Sequence, residues 1–154
     1  MYIKGKVDNI VKKYGTRNPY EIAHALDVIL LEVPLIGVNG FYQYYKRNHI
    51  IYINEDLNDI DKRIVLAHEL GHLFLHPSTN TIYLNTYTEL VTQRYEIEAD
   101  TFASELLISD EMLEEYSYYT IDKVASVLDV YPKHVKYKLD RYNKIHNKKI
   151  TKTI

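Results

Sequence analysis

Asn58-Asp59-Ile60-Asp61-Lys62-Arg63-Ile64-Val65-Leu66-Ala67-His68-Glu69-Leu70-Gly71-His72-Leu73-Phe74-Leu75 is the stretch on which the fold turns. Asn58 and Asp59 are capping residues, and their position predicts a helix from about Ile60 to Leu75. Ile64, Val65, Leu66, Ala67, Leu70, Leu73 and Phe74 lie nearly all round its axis. A helix that is apolar on most sides is buried on most sides. Upstream, Ile3, Val7, Ile10, Val11 and Tyr14 recur at helical spacing before Gly15, and Asn18-Pro19 opens a second helix. Val28 to Val33 reads as a strand ended by Pro34. Phe41 to Tyr45 and His49 to Ile53 read as a hairpin, with Lys46-Arg47-Asn48 in its turn. Downstream, 77–88 is loop-like, a long helix runs from about Thr88 to Ile108, and Ser109 caps a short helix over 110–117. Two more helices fit 121–128 and 132–146. Helix, strands, then helices predict an α+β fold, with a small three-stranded sheet packed on the buried helix.

Composition narrows the chemistry. The 154 residues contain no cysteine, which excludes disulfides, thiolate metal sites and cysteine nucleophiles. No apolar run approaches the ~20 residues of a membrane span, and the first residues contain no secretory signal, so the expected address is the cytoplasm. The net charge of −2 is distributed as +4 over 1–17, −13 over 18–132 and +7 over 133–154.

His68-Glu69-Leu70-Gly71-His72 is an H-E-x-x-H. Residues i and i+4 share a helix face, so both imidazoles can bind one Zn²⁺. Glu69, one residue round, can reach a water at the metal and take its proton as general base. Gly71 has no side chain and allows another backbone to approach. Two histidines and a glutamate in an otherwise apolar helix are costly unless something satisfies them, and zinc does so.

A catalytic zinc needs a third protein ligand and an open position. His76 is nearest, but three successive i, i+4 positions drift around one straight helix. It fits better as a C-terminal residue favoured by the helix dipole. Glu96 and Asp100 on the following helix share a face. Glu96 can bind the metal while Asp100 accepts a hydrogen bond from the far nitrogen of a ligand histidine. Glu98, turned about 160° from Glu96, is the alternative ligand. Tyr83, Tyr87 and Tyr95 lie between the motifs, and none is singled out as an oxyanion stabiliser.

His68 to His76, together with Glu96-Ile97-Glu98-Ala99-Asp100-Thr101-Phe102-Ala103-Ser104-Glu105-Leu106-Leu107, resembles the ImmA/IrrE family of metallopeptidases. Lys13 to Pro19 and Ile51 to Asn54 are similar to its phage and mobile-element members. The resemblance covers about residues 10–115 and implies a minimal zincin-like domain, here 1–117; residues 118–154 lie beyond it and read as a helical extension packed on the same domain. It implies a gluzincin-like zinc metalloendopeptidase, with zinc on His68, His72 and a glutamate placed at Glu96, and Glu69 as base. It also implies an anti-repressor that cleaves a helix-turn-helix repressor and so derepresses a phage or mobile element.

Two further expectations come from the residues. The strand His49–Ile53, if at a sheet edge, would pair with an extended substrate. Residues 121–146 contain a helix-turn-helix-like pair from which Lys133, Lys136, Lys138 and Arg141 would face outward. That pattern supports the rival reading of a non-proteolytic zinc-containing regulator that binds a repressor or DNA.

Overall fold

The computed structural model describes residues 2–77, 89–147 and 150. Most of the 77–88 loop, Tyr83, Tyr87, Thr88 and most of the basic tail beyond Asn147 lie outside them. The elements are α1 (Tyr2–Tyr14), α2 (Pro19–Ala25), β1 (Ile29–Val33), β2 (Gly40–Tyr45), β3 (Asn48–Asn54), α3 (Asp59–Leu75), α4 (Glu89–Leu107), α5 (Asp110–Glu115), α6 (Ile121–Leu128) and α7 (Pro132–His146). This is an α+β architecture with a small mixed sheet. No described helix is long and apolar enough to cross a membrane.

Helix starts follow side-chain chemistry. Asn58 Oδ1 accepts the Asp61 amide at 2.8 Å, and Asn18 Oδ1 accepts the Tyr20 amide at 3.0 Å. Each satisfies a backbone donor that has no partner within its helix. Asp59 and Asp61 add negative charge at the positive end of α3.

The sheet order is β1-β3-β2, with β1 parallel and β2 antiparallel to β3. Ile51 faces Leu30 on one side and Tyr42 on the other. The expected substrate-pairing edge at His49–Ile53 is therefore not an edge. Both sides of β3 are taken by neighbouring strands, and Ile51 and Ile53 are fully buried. The hairpin turn is also shorter than expected. Lys46 and Arg47 alone make it, at φ 47° and 64°, and Asn48 already belongs to β3. Such turns favour residues that tolerate positive φ, and Asn48 Nδ2 supports this one by donating to the Lys46 carbonyl at 3.0 Å.

α3 touches β2 and β3 on one side and α4 on the other. Two glycines set these approaches. A Cβ on Gly40 would lie 2.6 Å from Val65 Cγ1, and one on Gly71 would lie 3.0 Å from the Ala99 backbone. The backbone admitted at Gly71 is thus that of α4. The hydrophobic core runs from Ile3 through Leu70 and Phe102 to Tyr142 as one cluster.

α7 corrects the outward basic face. His134, Val135, Lys138, Leu139 and Tyr142 form its buried side. At about 100° per residue, Lys138 falls inside the arc from His134 to Leu139. Its Nζ donates to Glu105 at 2.7 Å and also to Asp110. Arg141 Nε lies 3.3 Å from Glu105, and Lys133 Nζ donates to Asp100 at 2.9 Å. Of the four basic residues expected outside, Lys136 alone is exposed without a contact described here. Lys138 leaves the outward face and Arg141 is largely covered, while Lys133 and Lys136 stay exposed.

Candidate metal centre

α3 presents His68 and His72 one turn apart, and the close approach at Gly71 brings α4 against them. Their Nε2 atoms lie 3.2 Å apart. Glu96 of α4 spans the pair, with Oε2 at 3.2 Å from His68 Nε2 and Oε1 at 3.3 Å from His72 Nε2. Ligand atoms of these three residues all lie within 4.8 Å of one another, a group that could hold a metal ion. Asp100, one turn after Glu96, accepts from His68 Nδ1 at 2.9 Å.

Glu98 does not join this cluster. Its Oε2 lies 2.7 Å from His76 Nε2, and its Oε1 accepts from Arg94 Nε at 2.9 Å. His76 is not a solvated helix end either. Its ring is buried and stacks on Tyr95, with centroids 4.1 Å apart. Its Nδ1 lies 3.3 Å from His72 Nδ1. The two residues weighed as alternative ligands are each other's partners behind His72.

A cleft of about 670 Å³ opens over the cluster. Gly40, Phe41, Val65, His68, Glu69 and Glu96 line it, and α7 closes a side with Lys133 and His134. Glu69 is 5% exposed, and its Oε2 is buried with no partner. Burial pushes its carboxyl up to about 7, against the opposing charge of His68. For His68, burial favours the neutral ring, but the hydrogen bonds to Asp100 and Glu96 prevail and raise it to about 10. Burial would raise Glu96, yet His68 and His72 hold it well below the usual carboxylate range. Burial and the neighbouring Lys133 lower His134 to about 4. His134 is 1% exposed, and neither ring nitrogen has a hydrogen-bond partner.

Sequence reading placed a helix over 132–146 but missed the side chains that α7 brings to the cleft. The signal was present as a polar residue, His134, on the same helical face as Val135, Leu139 and Tyr142.

The model of the M78 peptidases, described as the IrrE N-terminal-like domain, matches residues 23–140. The chain belongs to this family. It is 41% identical over 126 residues to uncharacterized immunity region protein 2 of Bacillus phage phi105, covering 80% of each chain. It is 34% identical over 152 residues to metallopeptidase ImmA of Bacillus subtilis (strain 168), covering 95% of this chain and 89% of that one. The family match spans both sequence motifs and the α7 residues that wall the cleft.

The family implies a metal ion, and the donor set fits one. Two carboxylates flank His68 closely enough to favour a proton on it, and the same field favours a divalent cation. Five buried side-chain atoms among the described residues lack a hydrogen bond. Glu105 Oε1 and Arg141 Nε belong to residues that form an ion pair. The other three, Glu69 Oε2 and both nitrogens of His134, belong to residues lining the cleft.

Proposed function

We propose that this chain is a zinc-dependent metalloendopeptidase of gluzincin-like type, acting in the cytoplasm. His68, His72 and Glu96 hold Zn²⁺, Glu69 is the general base, and Asp100 orients His68. The observation that carries the reading is the convergence of both Nε2 atoms on the Glu96 carboxylate, beside a buried Glu69 oxygen that has no partner.

A zinc ion bound there supplies Lewis acidity, which makes water a stronger nucleophile near neutral pH and polarises a carbonyl. The rest belongs to the chain. Glu69 Oε2 takes a proton from the attacking water and delivers it to the departing amide nitrogen. Asp100 accepts from His68 Nδ1, fixes that ring's tautomer and leaves Nε2 its lone pair. Lys133 holds Asp100 from its other side. Phe41, Val65 and Val38 give the cleft apolar walls that favour an extended peptide over water.

The unit is read as a zincin-like domain over 1–117 with a helical extension over 118–154 packed on it. The shared core and the α7 wall of the cleft support the packing of that extension on the domain. The substrate is read as a helix-turn-helix repressor whose cleavage derepresses a phage or mobile element. The support is the immunity-region name of the phage relative and the metallopeptidase name of the other.

Metal content of the purified wild type, Glu96→Ala and Glu98→Ala, measured with saturating zinc and no chelator, tests the site. About one zinc in the wild type and in Glu98→Ala, and none in Glu96→Ala, is expected. A wild type that takes up no zinc removes the physical basis of the enzyme reading. Glu69→Gln separates a peptidase from a sequestering regulator: the first loses cleavage and derepression together, whereas the second keeps derepression.

A further inference from the structure

Behind His72 lies a chain of side chains that ends at the surface. His72 Nδ1 faces His76 Nδ1 at 3.3 Å, His76 Nε2 faces Glu98 Oε2 at 2.7 Å, and Glu98 Oε1 receives Arg94 Nε at 2.9 Å. The His76 side chain is 6% exposed, Glu98 28% and Arg94 75%.

For a neutral His76, the inventory of donors and acceptors leaves one consistent arrangement. Two imidazole nitrogens can share a hydrogen bond only when one carries hydrogen and the other a lone pair. An ionised Glu98, paired with Arg94, only accepts. His76 Nε2 therefore carries the hydrogen, and in a neutral ring Nδ1 is left with a lone pair. That lone pair must accept from His72, so His72 carries its hydrogen on Nδ1. Its Nε2, which faces His68 and Glu96, is then bare. The opposite arrangement, with hydrogen on His76 Nδ1, would place the His72 hydrogen on Nε2 and block it as a ligand.

We propose that His76 and Glu98 are positioning residues which, through this ordered chain, set the tautomer of His72 and aim its Nε2 at the metal. The inference rests on the reading of His68, His72 and Glu96 as the zinc-holding set. It assigns each histidine its own support: a carboxylate directly on His68, and a carboxylate relayed through a neutral ring on His72. Partners of this kind are worth roughly 10- to 100-fold in metal affinity.

The zinc dissociation constant, by competition with a chromophoric chelator, tests it in wild type, His76→Leu, His76→Asn and Glu98→Ala. Thermal unfolding confirms that each variant is folded. His76→Leu is expected to weaken zinc by roughly 10- to 100-fold, and Glu98→Ala by about 10-fold. His76→Asn, whose amide oxygen can stand where Nδ1 stood, is expected to recover most of the loss. A packing role would make leucine at least as good as asparagine. Nitrogen-15 spectra of the zinc-loaded wild type should show hydrogen on His72 Nδ1 and His76 Nε2. Hydrogen on His76 Nδ1, or a His76→Leu protein that binds zinc like the wild type, overturns the proposal and leaves the zinc site standing. A folded wild type that binds no zinc overturns both.

Discussion

α4 carries two charged clusters, one buried and one open to the cleft, and they are built on opposite plans. At its C-terminal end, Glu105 meets Lys138 and Arg141 of α7, and Asp110 meets Lys138 and Lys4. Asp8 also meets Lys4, so three cations there face three carboxylates. One to three turns earlier, Glu96 and Asp100 meet the imidazoles of His68, His72 and His134, and a single lysine, Lys133, with the buried Glu69 beside them. Carboxylates are in excess on that side, and atoms without partners line the cleft. Burying charge is costly at Glu105 and Lys138, and less so at the half-exposed Glu96. The first cluster uses it to fasten helices together, and the second leaves it unbalanced, as a cation site requires.

The sharpest way to break this contrast is Glu69→Gln. Removing a general base typically costs 10²- to 10⁴-fold, so cleavage of a candidate repressor should fall by about that factor with zinc content unchanged. Single-turnover cleavage beside elemental analysis checks it, and undiminished cleavage would dissolve the distinction between the clusters. The buried cluster should answer in stability instead. Lys138→Leu leaves Glu105 buried without its closest partner, and a loss of ~3–5 kcal/mol is expected in urea unfolding. Zinc uptake by the folded fraction should persist.

Gly71→Ala probes the seam between α3 and the region of α4 that brings the ligands. A Cβ there would sit 3.0 Å from both Ala99 Cα and its carbonyl oxygen, so overpacking of ~1–3 kcal/mol is expected by the same unfolding assay. A neutral result would mean that the helices separate without cost. The smallest effect concerns Asp110. Burial alone would raise its carboxyl, but Lys138 and Lys4 outweigh burial and hold it below its usual value of 3.8. A depressed carboxyl contributes stability that is full above the unfolded value and is lost as pH falls through the folded one. The stability gap between wild type and Asp110→Asn should therefore be constant near neutrality and close below about pH 4. A gap that widens in acid would reverse the sign.

Much of this arrangement was legible in the chain. The helix of α3 followed from Asn58 and its apolar residues, and the pairing of His68 with His72 followed from their spacing; Glu96, preferred to Glu98 on the next helix, lies beside them. Periodicity fixes which way a side chain points on its own helix. It does not say what another element brings to that face. Hence Glu98 was correctly turned away from Glu96, while His76, which receives it, could not be named as its partner. Strand order was hidden for the same reason: nothing in His49–Ile53 distinguishes a strand with one neighbour from a strand with two. The outward reading of Lys138 was an avoidable error, because Val135 and Leu139 already define the face on which it lies.

The wall that α7 gives the cleft bears on timing. A chain leaves the ribosome in order and folds as it emerges. The histidines of α3 and the carboxylates of α4 come out before Lys133, which steadies Asp100, and before His134, which flanks the cleft. A nascent chain thus has its ligands in hand while one flank of its cleft is still unmade. Completion of the cleft is thus deferred to the last stage of folding.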